Sequence, residues 1–383
     1  MNKAFKIAAI LLAGLIGGCG SDDSTAPADS NIVGAGIFSS GLAVCCISVD
    51  ESSHDEQAPQ VAFNGTTYLV VYEEGNANRN IIGAVISSSG TSHVNIAVSS
   101  KNDQAPRVAS DGTNFLVVYQ EVRTGNNHSI IGKRVDSNGN VLDPDGILID
   151  ATDDNTAPAV AFGGGKYLVV YQRGATPSTS DHNIIGKLVD TSGGLGSEIQ
   201  IDTSASDDLA PAAAFGAGKY LVVYQRDATT INPDHNIIGK QVDTSENVGS
   251  EIPIDTTVLD DIAPSVASNG TDYLVAYERV FSTHDDIRGA VVDGTGTTIT
   301  PFGIDTSLTT DDRAPAVASN GSIYLVAYQR VLSKDNDIQE AIIDTTGIPS
   351  VTLNPIDTSN SDYVAPAVAS DGSNYFVVFE EVF

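Results

Sequence analysis

Three sets of side chains recur along the chain in patterns that could do chemistry. Arg173, Arg226, Arg279 and Arg330 each follow a Gln or Glu that closes an apolar run ending in Tyr. Glu74, Glu121 and Glu381 stand at the same place in the other copies of that run. A guanidinium presents five donors in a planar fork, so an arc of four suits a ligand carboxylate or sulfate; pairing with nearby Asp across neighbouring units is the competing role. The second set is acidic: Asp207-Asp208, Asp260-Asp261 and Asp311-Asp312, with Asp153-Asp154 in register. Such oxygen-rich loops suit Ca2+. Asp also starts turns by bonding its own backbone, and the chain has no EF-hand loop or glycine-rich nonapeptide repeat. The third set is His128, His182 and His235, with His284 displaced by one. A ring of metal-bound histidines would need donors about 2 Å from one ion, whereas equivalent loops of radiating units lie on the order of 10 Å or more apart. Bonding within the loop, where other units use Arg79, Asp285 and Asn336, is the simpler role.

These sets keep step because the chain is repetitive. Ala-Pro recurs at Ala58, Ala105, Ala157, Ala210, Ala263, Ala314 and Ala365, at steps of 47 to 53 residues. A period near fifty with strand-like content marks a radial β repeat. Each unit divides into four strands. The first is short and carries an invariant small residue (Ala62, Ala109, Ala161, Ala214, Ala267, Ala318, Ala369), as crowding near an axis would demand. Asn-Gly or Asp-Gly follows in five units and glycine-rich segments in the other two, which suits tight hairpins. The second strand, Tyr-Leu-Val-Val-Tyr, is apolar at consecutive positions, so both of its faces must be covered. The third and fourth strands, Asn183 to Asp190 and Glu198 to Asp202, are more polar, as outer strands should be.

The last copy stops after its second strand, and Asn31 to Ile37 matches a third strand at five of seven positions. Six whole units plus two halves predict a seven-bladed β-propeller of four-stranded antiparallel blades, with N- and C-terminal strands sharing one blade. Loops 2–3 and 4–1 then project from one face, longer and more variable than the opposite turns, so any site belongs on their face. Twelve of the 13 tyrosines fall in the second strands and are expected in the core.

The chain opens with Lys3 and Lys6 before an apolar run from Ile7 to Ile16, too short to span a bilayer, and then Gly17-Gly18-Cys19. This resembles the lipobox of bacterial lipoproteins. The resemblance implies a signal peptide over residues 1–18, cleavage before Cys19, lipidation of its thiol, and passage to the outer membrane or cell surface. Residues 19–30 then read as a lipid-anchored flexible tether, and 31–383 as the propeller. Over residues 31 to 383 the units resemble a bacterial repeat of the form PxVAxxGxxYLVVY…IxGxxVDxxG found in secreted proteins, which implies a propeller without implying a reaction. Sialidase Asp-boxes and WD40 or kelch signatures are missing.

The formal charge of −30 argues against nucleic acid as a partner and against electrostatic adhesion to anionic lipid. Adjacent Cys45 and Cys46 fit no zinc spacing; a vicinal disulfide and two thiols both remain open. No Ser-His-Asp motif, paired-carboxylate signature or phosphate loop appears, and the units stay close to one another, whereas catalytic sites break symmetry. The expectation is a non-catalytic cell-envelope lipoprotein, anchored to the membrane through lipid and docking a protein or glycan through the loop 2–3/4–1 face. The alternative is an enzyme processing an extracellular polymer at the channel mouth.

Overall fold

The computed structural model describes residues 4–7, 34–37, 43–47, 49, 55–75, 78–123, 127–174, 181–227, 234–333, 335–345, 350–357 and 361–382. All regular structure among them is β. Six sheets have four antiparallel strands in sequence order. Blade 1 comprises Glu56–Phe63, Tyr68–Glu74, Asn80–Ser87 and Gly90–Ala97; blade 2, Asp103–Ser110, Phe115–Val122, His128–Val135 and Ile147–Asp150. Blade 3 comprises Asp154–Gly163, Lys166–Gly174, Asn183–Asp190 and Leu195–Asp202; blade 4, Asp208–Gly216, Lys219–Asp227, His235–Val242 and Val248–Asp255. Blade 5 comprises Asp260–Ser268, Tyr273–Val280, Asp285–Val292 and Ile299–Asp305; blade 6, Asp311–Ser319, Tyr324–Val331, Asn336–Asp344 and Ser350–Asp357.

The expected count of seven four-stranded blades is corrected to six. The remaining sheet has five strands, in the order Ala4–Ile7, Ala43–Ile47, Gly34–Ile37, Tyr375–Val382, Asp362–Ser370. The difference lies along Tyr375–Val382. Gly34–Ile37 pairs only with residues 375–377, and Ala4–Ile7 pairs with 378–381. An unpaired strand edge leaves backbone donors and acceptors unsatisfied, and here a second segment takes the free half. Ala4–Ile7 falls within the expected signal peptide, so cleavage before Cys19 would remove this strand from the closing sheet. Cleavage before Cys19, its lipidation and the tether at 19–30 lie outside the described residues.

Second strands are covered on both faces, as their composition requires. Leu168 and Val170 of blade 3 pack with Tyr220, Val222 and Tyr224 of blade 4, while Tyr167, Val169 and Tyr171 pack back on Leu116 and Val118 of blade 2. The hydroxyls of Tyr167, Tyr220, Tyr273, Tyr324 and Tyr375 tie their strands to the preceding blade; that of Tyr220 lies 2.7 Å from the carbonyl oxygens of both Gly163 and Lys166 and shares its proton between them.

The Ala-Pro landmark is a bulge. All seven alanines have φ between 48° and 54°, and pairing with the second strand skips there, from Leu209↔Gln225 to Ala212↔Val223. Left-handed alanine costs roughly 1–2 kcal/mol, and a clip from the preceding blade holds it. Side-chain oxygens of Glu73, Gln120, Gln172, Gln225 and Glu278 accept the N–H groups of Ala105, Ala157, Ala210, Ala263 and Ala314 at 2.7, 3.0, 3.0, 3.1 and 3.3 Å. Residues of all seven bulge segments, among them Ala58, Arg107, Ala157, Ala210, Ala263 and Ala365, line a central channel of about 510 Å³. The Ala62 column instead packs within the cores between blades, as Ala161 does beside Leu168. Its small size answers inter-blade packing more than axial crowding.

Candidate functional site

In four blades the arginine forms a cross-brace with the preceding blade. Arg226 donates through Nε to Asp208 at 2.7 Å, through Nη2 to Asp202 of blade 3 at 2.5 Å, and through Nη1 to Glu251 at 2.6 Å. Its guanidinium lies 5.5 Å from the Tyr224 ring centroid, and that tyrosine's hydroxyl donates to Asp202 at 2.6 Å. Lys240 adds a further contact to Asp202 at 2.8 Å. Arg279 repeats the pattern with Asp261 at 2.7 Å and Asp255 at 2.6 Å, and Arg330 with Asp312 at 2.8 Å and Asp305. Arg173 uses Asn155 at 3.1 Å, Asp150 at 2.6 Å and Glu198 at 2.8 Å. Burial pushes the Asp202 carboxyl up, but Lys240, Tyr224, the Ser204 amide and Arg226 outweigh it and hold it below the ordinary range. Burial dominates at Asp208 and Asp261, which are pushed up to about 6 despite their arginines.

The structure thus draws the arginines and half of the aspartates together, inside the blade interfaces. A ligand carboxylate reaching Arg226 would have to displace Asp202 and Asp208. The aspartate three residues before each of these Ala-Pro steps has another partner: Asp207 and Asp260 accept from the backbone N–H of His182 and His235 and lie 2.6 Å from their Nδ1 atoms. Asp154 does the same for His128 at 2.7 Å, and Asp311 meets Arg313 at 3.3 Å. The histidines therefore bond a side chain of the next blade, while the displaced His284 stacks on Phe281 at 4.7 Å. Among the described residues, no group of three or more His, Cys, Asp or Glu is placed to hold a metal.

Blade 2 breaks the pattern. Strand register aligns Glu121 with Arg226, Asp103 with Asp208 and Tyr119 with Tyr224. Pairing of the fourth strands aligns Ala97 with Asp202, through Ile81↔Ala97 and Ile184↔Asp202. The same pairing puts Gly146, which precedes Ile147↔Gly132, at the place of Glu251. Arginine, aspartate and glutamate are thereby replaced by Glu121, Ala97 and Gly146, and where three side chains are shortened or turned a cavity of about 610 Å³ opens between blades 1 and 2. Its walls include Ala97, Asp103, Tyr119, Glu121, Ser129 and Gly146, on the loop 2–3/4–1 side and away from the axis.

Asp103 is the cavity's distinctive group. It is 1% exposed, and its Oδ1 has no hydrogen-bond partner among the described residues. Burial, reinforced by Glu121, pushes its carboxyl up to about 7 against the pull of Lys101, Lys133 and a hydrogen bond from the Ser99 side chain. The cavity's cations already have partners, one of them on the cavity wall. Lys101 bonds Glu121 at 2.7 Å, Lys133 bonds the carbonyls of Ile96 and Pro144 at 3.0 Å each, and Arg123 bonds the carbonyl of Ala151. Tyr119 is buried like its counterparts but faces Ala97 where they meet a carboxylate. Glu121 stood out in the sequence as an exception in the arginine column. Asp103, Ala97 and Gly146 did not, because their equivalence follows from pairing across a bulged fourth strand. Of the other exceptions, Glu74 sits opposite Glu56 in blade 1, and Glu381 opposite Tyr363 in the five-stranded sheet.

No family model and no curated protein matches the chain. Among solved structures it is similar to the β-propeller domain of the Trilobed protease from Pyrococcus furiosus, at 12% identity over 85% of this chain and 92% of that one, with a TM-score of 0.54. It is also similar to an acylaminoacyl peptidase from Pyrococcus horikoshii, at 10% identity and a TM-score of 0.52, covering 82% of this chain but 47% of the peptidase. A thermostable family-43 glycoside hydrolase matches at 12% identity over 68% of this chain and 95% of that one, with a TM-score of 0.44. At these identities the likeness is one of fold, and the chain is a β-propeller; a propeller does not choose a reaction.

Proposed function

We propose that the protein is a non-catalytic binding module of the cell envelope, held to the membrane through lipidated Cys19, whose ligand site is the cavity between blades 1 and 2. The observation that carries this reading is the broken brace. Where four blades fill the space with a carboxylate-bonded arginine, blade 2 leaves an open cavity lined by a buried carboxylate. The cavity opens on the face where loops 2–3 and 4–1 cluster, accessible to a protein or glycan partner. Asp103 and Glu121 are direct cross-strand partners on one wall. A glycosidic bond needs carboxyl groups flanking it from two sides.

The test compares the lipidated protein with Ala97→Asp/Glu121→Arg, which rebuilds the brace in blade 2. A single envelope partner recovered by the first and lost by the second supports the reading; equal recovery by both removes the cavity from it. Cys19→Ala should move the protein from the membrane fraction to the soluble one. A second reading, an enzyme acting on an extracellular polymer, has one observation in its favour. A carboxyl pushed up to about 7 beside a second carboxylate suits a general acid near neutral pH. Turnover on a panel of envelope glycans that Asp103→Asn abolishes would replace the binding reading with that one.

A further inference from the structure

The brace itself indicates what the cavity holds. We infer that the cavity between blades 1 and 2 receives a guanidinium group, which takes the place that the chain's own arginine occupies in blades 3 to 6. The inference rests on the binding reading above and names its ligand class. In blade 4 the guanidinium meets an inner carboxylate (Asp208), a second carboxylate (Asp202), and a tyrosine face 5.5 Å away. Blade 2 keeps the inner carboxylate as Asp103 and the tyrosine as Tyr119. It exchanges the second carboxylate, lost at Ala97, for Glu121. The arginine stem is the part that is missing, and the cavity of about 610 Å³ leaves room for one to enter from outside.

The orphaned oxygen of Asp103 is the strongest element of the argument. A carboxylate that is 1% exposed, with one oxygen left without a hydrogen bond, calls for a further donor. The planar fork of a guanidinium satisfies it while stacking on an aromatic ring. Among the resident cations, Lys101 binds Glu121 at the rim with its side chain 55% exposed, so it competes with the ligand without filling the site. Lys133 and Arg123 are held by carbonyls. The guanidinium comes either from an arginine side chain of a partner protein or from a free small alkylguanidine, since both carry the same group.

Calorimetric titration of the purified protein with acetyl-arginine amide, agmatine and the uncharged isostere acetyl-citrulline amide tests the inference. Saturable binding of a guanidine is expected, with citrulline at least tenfold weaker. Binding of acetyl-arginine amide alone assigns the source to a partner's arginine; agmatine bound equally well or better assigns it to a free guanidine. Asp103→Asn should weaken binding at least tenfold, and Lys101→Met should tighten it. Ala97→Asp/Glu121→Arg should abolish it with no fall in melting temperature, which separates loss of the site from loss of the fold. No binding of either guanidine, equal affinity for citrulline, or retained binding in the rebuilt-brace variant would overturn the inference. If the rebuilt brace loses the envelope partner although no guanidine binds, the binding module stands and only the ligand class falls.

Discussion

Asp202, Asp208 and Arg226 enter the blade interface together, and their energetics depend on staying together. Removing one member of a buried, hydrogen-bonded charge cluster strands the others, which costs roughly 3–5 kcal/mol. Arg279→Met, leaving Asp255 and Asp261 facing each other, should therefore lower unfolding stability by about that amount in urea titrations at pH 7. Asp103 is the reverse case, a buried carboxylate without an arginine and with one oxygen unbonded. Its folded pKa, near 7, lies above the unfolded value of about 3.9. The folded protein thus gains nothing from it below pH 4 and loses stability as pH rises toward 7. Asp103→Asn should consequently be more stable than the parent at pH 8, on the order of 3 kcal/mol, with the gap closing by pH 4. The same titration governs guanidinium binding. Affinity should fall as pH drops below about 7 and Asp103 takes up a proton. The other charged groups lining the cavity are Glu121, Asp145, Lys101, Lys133 and Arg123.

At the scale of the strand, the first residue after each second-strand aromatic and the Ala-Pro bulge of the next blade form one device. Gln172→Met should leave the Ala210 N–H without its acceptor and cost about 1–3 kcal/mol. Ala210→Val should cost more, because a β-branched residue tolerates φ near +50° poorly. Equilibrium unfolding of the two variants checks the order. Most of this layer was legible in the residues. The apolar run of the second strand, the turn dipeptides and the Gln, Glu and Arg columns are local patterns, and local patterns report strand geometry. The partners of those columns were not legible. Arg226 meets Asp202 across a blade boundary, and which fourth-strand residue arrives there depends on a register shift between Ile184 and Ile185 and its counterparts. For that reason Ala97 and Gly146 read as ordinary strand residues until pairing placed them in one cavity.

At the scale of the ring, the sequence of the chain ends predicts complementary halves, whereas the structure forms six four-stranded blades with a five-stranded closing sheet. Strand counting could not foresee that Gly34–Ile37 would cover only half of the last strand. The net charge of −30 acts across the whole molecule. Raising ionic strength from about 10 mM to about 150 mM shortens the Debye length from about 30 Å to about 8 Å, so the melting temperature should rise as self-repulsion is screened. The near-identity of blades 3 and 4 has a further consequence. A cavity that arises by taking a brace away can be opened at any other brace. Asp202→Ala with Arg226→Glu and Glu251→Gly reproduces between blades 3 and 4 the residues found between blades 1 and 2. The protein's valency is then a matter of which braces are kept. If the first cavity binds as proposed, a second opening would add a second guanidinium site, and a partner presenting two such groups would bind with avidity set by the spacing around the disc.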